Sequence, residues 1–212
     1  MNAAGRTIVL AGATSDAGLV VASRLLTAGA RVVATGRSAG RLEPLREAGA
    51  QVEVADATSL ESMAGLAARL DSVDAVIPLV GGWRGGGGLS GQTDADFDAL
   101  MPALQAVRAT SRAFNGALQA SDAGRFAIVS SSAVARPLAG GANYAAMKAA
   151  SEAWTRSVAH GFAKAARDGQ EPLRAASVVF RVKALEPEAL AAAAVALWDT
   201  DAAELNDTII EL

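Results

Sequence analysis

The stretch Thr7-Ile8-Val9-Leu10-Ala11-Gly12-Ala13-Thr14-Ser15-Asp16-Ala17-Gly18-Leu19-Val20 decides the fold. Its first five residues form a short apolar run ended by glycine, and Leu19, Val20, Ala22, Leu25 and Leu26 then recur at helical spacing over residues 17–28. That order reads as strand, tight turn, helix. Free backbone N–H groups and the helix dipole favour an anion at such a junction. Gly12 permits the sharp turn, Gly18 lets helix and strand approach closely, and Thr14 and Ser15 can donate to a phosphate or cap the helix. A dinucleotide pyrophosphate fits this turn; a plain tight β–α connection is the alternative.

Outward from this unit the alternation repeats. Strands are predicted over residues 31–35, 51–55, 75–80, 126–130, 175–180 and 208–212, with helices over 41–48, 60–70, about 94–120, 143–166 and 187–198. Seven strands with intervening helices predict an α/β fold, a doubly wound parallel sheet with helices on both faces. The near-continuous apolar strands match burial on both faces. Ligands on such sheets bind beyond the strand C-terminal ends, which here are Gly12, Gly36 and Arg37, Asp56, Gly81 and Ser131.

At 212 residues, with no long linker or repeat, the chain is expected to be one domain spanning 1–212 that carries cofactor and reacting groups together. Gly85-Gly86-Gly87-Gly88 reads as a mobile loop at the mouth of the cleft. The net charge of −3 and a pI near 5.2 provide no basic field for nucleic acid. Absence of cysteine removes disulfides, thiolate metal sites and cysteine nucleophiles, and a reducing cytoplasm is the expected location. His160, the only histidine, stands near a predicted helix end and reads as structural or exposed, so neither a Ser-His-Asp triad nor a multi-histidine metal site is expected. No signal-type segment and no apolar run of the ~20 residues needed to span a bilayer is present, so no membrane association is expected.

Strand two ends in Ala34-Thr35-Gly36-Arg37-Ser38, without an acidic residue to hold a ribose 2′-hydroxyl. The Arg37 fork can instead meet a 2′-phosphate, which favours NADP(H) over NAD(H); a surface arginine is the alternative. Asp56 can accept from an adenine amino group, or Asp56 or Thr58 can cap the next helix. Tyr144, the only tyrosine, precedes Lys148 by four residues, which places both on one helix face. A nearby ammonium stabilises phenolate and makes tyrosine a usable general acid or base.

Ser131 stands thirteen residues before Tyr144, at a predicted strand end. Together with Gly12 to Gly18, Arg37, Asp56 and Tyr144-Lys148, this order resembles the short-chain dehydrogenase/reductase family over nearly the whole chain. The resemblance implies a Rossmann-type fold and hydride transfer between a nicotinamide ring and a small-molecule carbonyl or alcohol. It implies that Tyr144 exchanges the proton, Lys148 holds the nicotinamide ribose and lowers the tyrosine pKa, and Ser131 bonds the substrate oxygen, with Ser132 in its place if the register shifts by one. The cofactor would lie on Gly12, Thr14, Ser15, Asp16, Ala17 and Gly18 of the turn. It would continue over Arg37, Asp56 and Ala57, then Val80 and Gly81, to Tyr144 and Lys148.

Several positions depart from the family pattern. Asp16 replaces the central glycine of the turn, placing a carboxylate near phosphates. Pro78-Leu79-Val80-Gly81 keeps only the glycine of the family's motif after strand four. Leu104 aligns with the asparagine that anchors a proton-relay water, and leucine has no polar atom for that task. After strand six the chain runs through Lys183-Ala184-Leu185-Glu186 into a helix, so the substrate lid is absent. Trp83 and Arg84 are candidates for substrate contacts, or for packing against a neighbouring chain. Small residues such as Ala109, Ala113, Ala117, Ala149, Ala153 and Ala159 on the two long helices suit a homodimer or homotetramer, or close packing within one subunit. An NADPH-dependent carbonyl reductase is the leading expectation. A dinucleotide-binding sensor or assembly module is the alternative, motivated by Asp16, Leu104 and the missing lid.

Overall fold

The structure, a computed structural model, describes residues 3–212; Met1 and Asn2, the start of the segment read for an export signal, lie outside the described residues. Its elements in chain order are β1 (Thr7–Ala11), α1 (Asp16–Thr27), β2 (Arg31–Gly36), α2 (Ala39–Glu47), β3 (Gln51–Val54), α3 (Leu60–Ala67) and β4 (Ala75–Pro78). There follow α4 (Asp94–Ala120), β5 (Arg125–Ser131), α5 (Ala142–Asp168), β6 (Ala176–Val182), α6 (Pro187–Val195), α7 (Ala202–Leu205) and β7 (Thr208–Glu211). The strands form one parallel sheet in the order β3-β2-β1-β4-β5-β6-β7. The chain leaves β1 towards β3 and returns to β4 on β1's other side, so a crevice opens between the C-terminal ends of β1 and β4.

Alternation along the strands divides the apolar residues between two cores. Ile8, Leu10, Val32, Ala34, Ile77, Ala127, Val178 and Phe180 pack with α1, α2 and α6, whereas Val9, Val33, Val76, Phe126, Ile128 and Val179 pack with α3, α4 and α5. The doubly wound expectation holds. Burial on both faces holds only for the inner strands, because β3 and β7 lie at the edges and leave Val54 62% and Ile209 42% exposed.

Most boundaries differ from the sequence reading by a few residues. β5 begins at the buried Arg125 rather than at Phe126, since its guanidinium finds carbonyl partners inside the fold. Helix α5 runs on to Asp168, so His160 lies within it, exposed, with its Nε2 3.6 Å from Asp207. Helix α7 was not anticipated; its four residues are too few to show helical periodicity. Among the described residues no helix is long and apolar enough to cross a membrane.

Candidate active site

The β1–α1 turn is built by glycines whose replacement the structure does not permit. Gly12 adopts φ +78°, and a Cβ there would stand 2.5 Å from Val80 Cγ2. A Cβ on Gly18 would come within 2.1 Å of the Ala13 carbonyl oxygen. The turn is fastened to β2, because Gly12 N donates to Thr35 Oγ1 at 3.1 Å and Ala13 N to Thr35 O at 2.9 Å. Ser15 is the N-cap of α1, its hydroxyl accepting from Gly18 N at 3.2 Å, and Asp16 is the first residue of the helix, exposed. An acidic side chain there complements the helix dipole.

Two clefts meet over this turn. The first, of about 380 Å³, is lined by Gly12, Thr14, Ser15, Arg37, Asp56, Ala57, Val80 and Gly81, together with Ser38, Arg41 and Pro102. The second, of about 600 Å³, is lined by Ser15, Asp16, Ala17, Val80, Gly81, Trp83, Ser131, Tyr144 and Lys148. Its remaining walls include Leu79, Val182, Lys183, Leu185 and Leu190. Because Ser15, Leu79, Val80 and Gly81 border both, the two form one trough along the strand ends. Gly18 supports the turn from below and lines neither cleft.

Arg37 and Arg41 stand together at one end of the trough, Arg41 donating to the Thr14 carbonyl at 3.2 Å. Arg41 was missed in the sequence; it stands in the first turn of α2, just past the N-cap Ser38 that follows Arg37. Asp56 lines the same cleft but caps no helix. Its Oδ1 accepts from Thr58 N at 2.9 Å and Thr58 Oγ1 at 2.8 Å, while the cap of α3 is Ser59.

At the other end, Tyr144 and Lys148 occupy the first turns of α5, with the Lys148 Nζ 5.7 Å from the tyrosine ring centroid. Lys148 Nζ donates to the Val129 carbonyl at 2.8 Å. Burial pushes its pKa down to about 8, while Glu152 holds it up. Ser131 is buried at the end of β5, its hydroxyl accepting from Ala133 N at 3.2 Å. Ser132 begins a 3-10 turn outside the cleft lining.

The glycine-rich segment after β4 is hydrogen-bonded to the segment before α5, Gly86 N donating to Gly140 O at 2.7 Å. Gln92 Nε2 donates to the carbonyls of Gly86 at 3.1 Å and Gly140 at 3.0 Å, and its Oε1 accepts from Asn143 N, the residue before Tyr144, at 3.1 Å. A Cβ on Gly85 would lie 2.4 Å from the Gly140 oxygen and 3.1 Å from the Trp83 ring. At Gly85 the missing side chain permits close packing, whereas Gly86 and Gly88 have open space around them. Trp83, 61% exposed, faces the cleft; Arg84 does not line it and donates to the Trp83 carbonyl at 3.0 Å. Leu104 lies on α4 and lines neither cleft, and β6 passes to α6 through residues 183–186 alone.

The fold and the trough define a protein of the Rossmann-type α/β class. The profile of the family "short chain dehydrogenase" matches residues 6–166, and the chain belongs to this family of nicotinamide-dependent oxidoreductases. A comparison with curated proteins finds no match. Among solved structures, a metagenomic short-chain oxidoreductase in complex with NADP is 26% identical with a TM-score of 0.79, over 98% of this chain and 97% of that one. A "short chain dehydrogenase/reductase family protein" is 23% identical with a TM-score of 0.83, over 100% of this chain and 97% of that one. A Shigella flexneri protein described as a short chain dehydrogenase complexed with NADP is 20% identical with a TM-score of 0.83, over 98% and 97%. The last two testify to the fold alone.

Proposed function

We propose that the protein is an NADPH-dependent reductase of a ketone or aldehyde, which in reverse oxidises the corresponding alcohol with NADP+, all within one domain. The observation that carries this reading is that Ser131, Tyr144 and Lys148 line a cavity continuous with the Arg37–Arg41 cleft. A dinucleotide suits the residues present. The β1–α1 turn has glycine where a side chain would collide, backbone N–H groups at the start of α1, and paired guanidinium groups at the end of β2. When bound, NADPH supplies the hydride. Tyr144 supplies the proton to the substrate oxygen, Ser131 donates a hydrogen bond to that oxygen as alkoxide charge develops, and the Lys148 ammonium stabilises the phenolate left behind. Trp83, Val182, Leu185 and Leu190 give the cavity apolar walls, which favours a substrate with an apolar body beside its carbonyl.

The test is turnover of a panel of carbonyl compounds with NADPH and with NADH, followed by cofactor absorbance. Removal of Arg37 (Arg37→Ala) is expected to raise KM for NADPH about tenfold and leave NADH unaffected, since one charge-assisted contact to a 2′-phosphate is lost. The Arg37→Ala/Arg41→Ala pair should extend this to about a hundredfold. Equal effects on both cofactors would contradict a 2′-phosphate role. Asp16→Gly is expected to tighten NADPH binding about two- to fivefold in calorimetry, relieving a like-charge contact of about 0.5–1 kcal/mol. Unchanged or weaker binding would mean that Asp16 points away from the phosphates.

A second reading, a dinucleotide-binding sensor or assembly module, is favoured by Leu104 and the short 183–186 connection; it predicts NADPH binding with no turnover of any carbonyl. A homodimer or homotetramer is supported by Ala149 and Ala153, which stay exposed on α5. Ala109 and Ala159 are instead buried within the chain.

A further inference from the structure

One turn beyond Lys148 on the same helix, Glu152 is 7% exposed, an unusual burial for a carboxylate. Ser130 Oγ donates to its Oε1 at 2.6 Å. Arg181 donates through Nε to Oε1 at 3.2 Å and through Nη2 to Oε2 at 2.7 Å. Ser130 and Arg181 are partners across β5 and β6, so the carboxylate sits over the ends of both strands. Arg181 also reaches Glu211 of β7 through Nη1 at 3.2 Å. No other part of the proposed reaction uses these groups.

We infer that Glu152 is a positioning residue that acts through Lys148: its buried carboxylate, fixed in place by Arg181 and the Ser130 hydroxyl, is the counter-charge for the Lys148 ammonium beside Tyr144. This rests on the proposed role of Lys148. The ammonium is half-buried with one carbonyl partner, Val129 O, and a neutral carbonyl does little to offset desolvation of a charge. The groups around it are Tyr144 and Glu152 on α5, Asp16 on α1 and Lys183 after β6 in the same cavity, and Arg181 on β6. From β5 come only the Ser130 and Ser131 hydroxyls and backbone. Lys183 and Arg181 oppose a second positive charge and Asp16 is exposed, so Glu152 is the buried anion that supports it.

The experiment reads Lys148 directly. The chain has three lysines, Lys148, Lys164 and Lys183, so 13Cε NMR of lysine-labelled protein, assigned by Lys→Arg variants, gives its titration without any substrate. Glu152→Gln keeps the shape and removes the charge; it is expected to lower the Lys148 midpoint by about one unit or more. The alkaline limb of the kcat/KM profile for carbonyl reduction should move the same way. Because Glu152→Gln leaves Arg181 with Glu211 as its one anionic partner, Glu152→Gln/Arg181→Met removes both buried charges and should show the same lowering. Arg181→Met alone leaves the carboxylate and should not lower the midpoint. A Lys148 midpoint unmoved in the two Glu152 variants, or lowered equally in Arg181→Met, overturns the inference; so does a moved midpoint with an unmoved pH–rate limb. If wild-type protein reduces no carbonyl while the midpoint shifts as expected, the reductase reading fails and the counter-charge role of Glu152 stands.

Discussion

Tyr144→Phe is expected to lower kcat/KM for carbonyl reduction by about 10²- to 10⁴-fold while NADPH binding stays within about twofold of wild type. That loss corresponds to about 3–5 kcal/mol of transition-state stabilisation. The ring remains to pack against the first turn of α5, so only the transferable proton disappears. Lys148 and Ser131 keep their backbone-tied positions, through Val129 O and Ala133 N respectively, and neither depends on the phenol oxygen. Turnover assays paired with an NADPH titration of the same sample separate chemistry from binding. Equal losses in both would mean that Tyr144 shapes the cleft rather than supplying a proton. Wild-type reduction should also fall as pH rises through about 8, where the Lys148 ammonium loses its proton and with it the ability to stabilise the phenolate. A rate that rises through that range would assign the limb to another group.

How much of this was legible from residues alone depends on whether the physics is local. The β1–α1 junction was readable because a turn that admits no Cβ at Gly12 or Gly18 leaves its mark in a few adjacent positions. Tyr144 and Lys148 were readable because helical periodicity puts them on one face. Glu152 continues that face, at twice the same offset from Tyr144, yet was overlooked because a glutamate on a helix is ordinarily solvated. What buries it is Arg181, contributed by a strand 29 residues later, and no local pattern announces that pairing. The glycine-rich loop carries a constraint of the same non-local kind. Its composition gives no sign that at Gly85 the Gly140 carbonyl, from the segment before α5, leaves no room for a Cβ. Asp56 and Thr58 compete for the same capping role on sequence grounds, yet the cap of α3 is Ser59, whose hydroxyl accepts from Ser62 N.

Arg125→Leu is expected to destabilise the fold by about 3–5 kcal/mol, measured as a lower urea midpoint at unchanged slope. Arg125 is 1% exposed at the start of β5. Its Nε donates to Leu197 O at 2.8 Å, Nη1 to Gly124 O at 2.9 Å and Arg174 O at 3.2 Å, and Nη2 to Thr200 O at 3.2 Å. Burial pulls its pKa down to about 10, with the nearby Arg6 charge adding to the effect, so at neutral pH the guanidinium is still charged. Its charge is spread over carbonyls rather than matched by one carboxylate. Leucine would take this donor from the Leu197, Arg174 and Thr200 carbonyls, each at about 1–3 kcal/mol, partly recovered where relaxation admits water, while Gly124 O keeps Ala176 N. Arg125→Lys should recover little, because an ammonium presents a point charge where a planar fork serves several directions. The loss should not stay local. Leu197 and Thr200 follow α6, and Trp198 between them donates its Nε1 to Ala123 O at 2.9 Å, so this corner ties the C-terminal segment to β5. Helix α6 in turn packs in the same core as α1, the helix that opens the trough. Urea melts of Arg125→Leu with and without NADPH should therefore show that saturating cofactor restores part of the lost stability, since binding adds to the folded state alone. A loss below about 1 kcal/mol would mean that water replaces the guanidinium at those carbonyls.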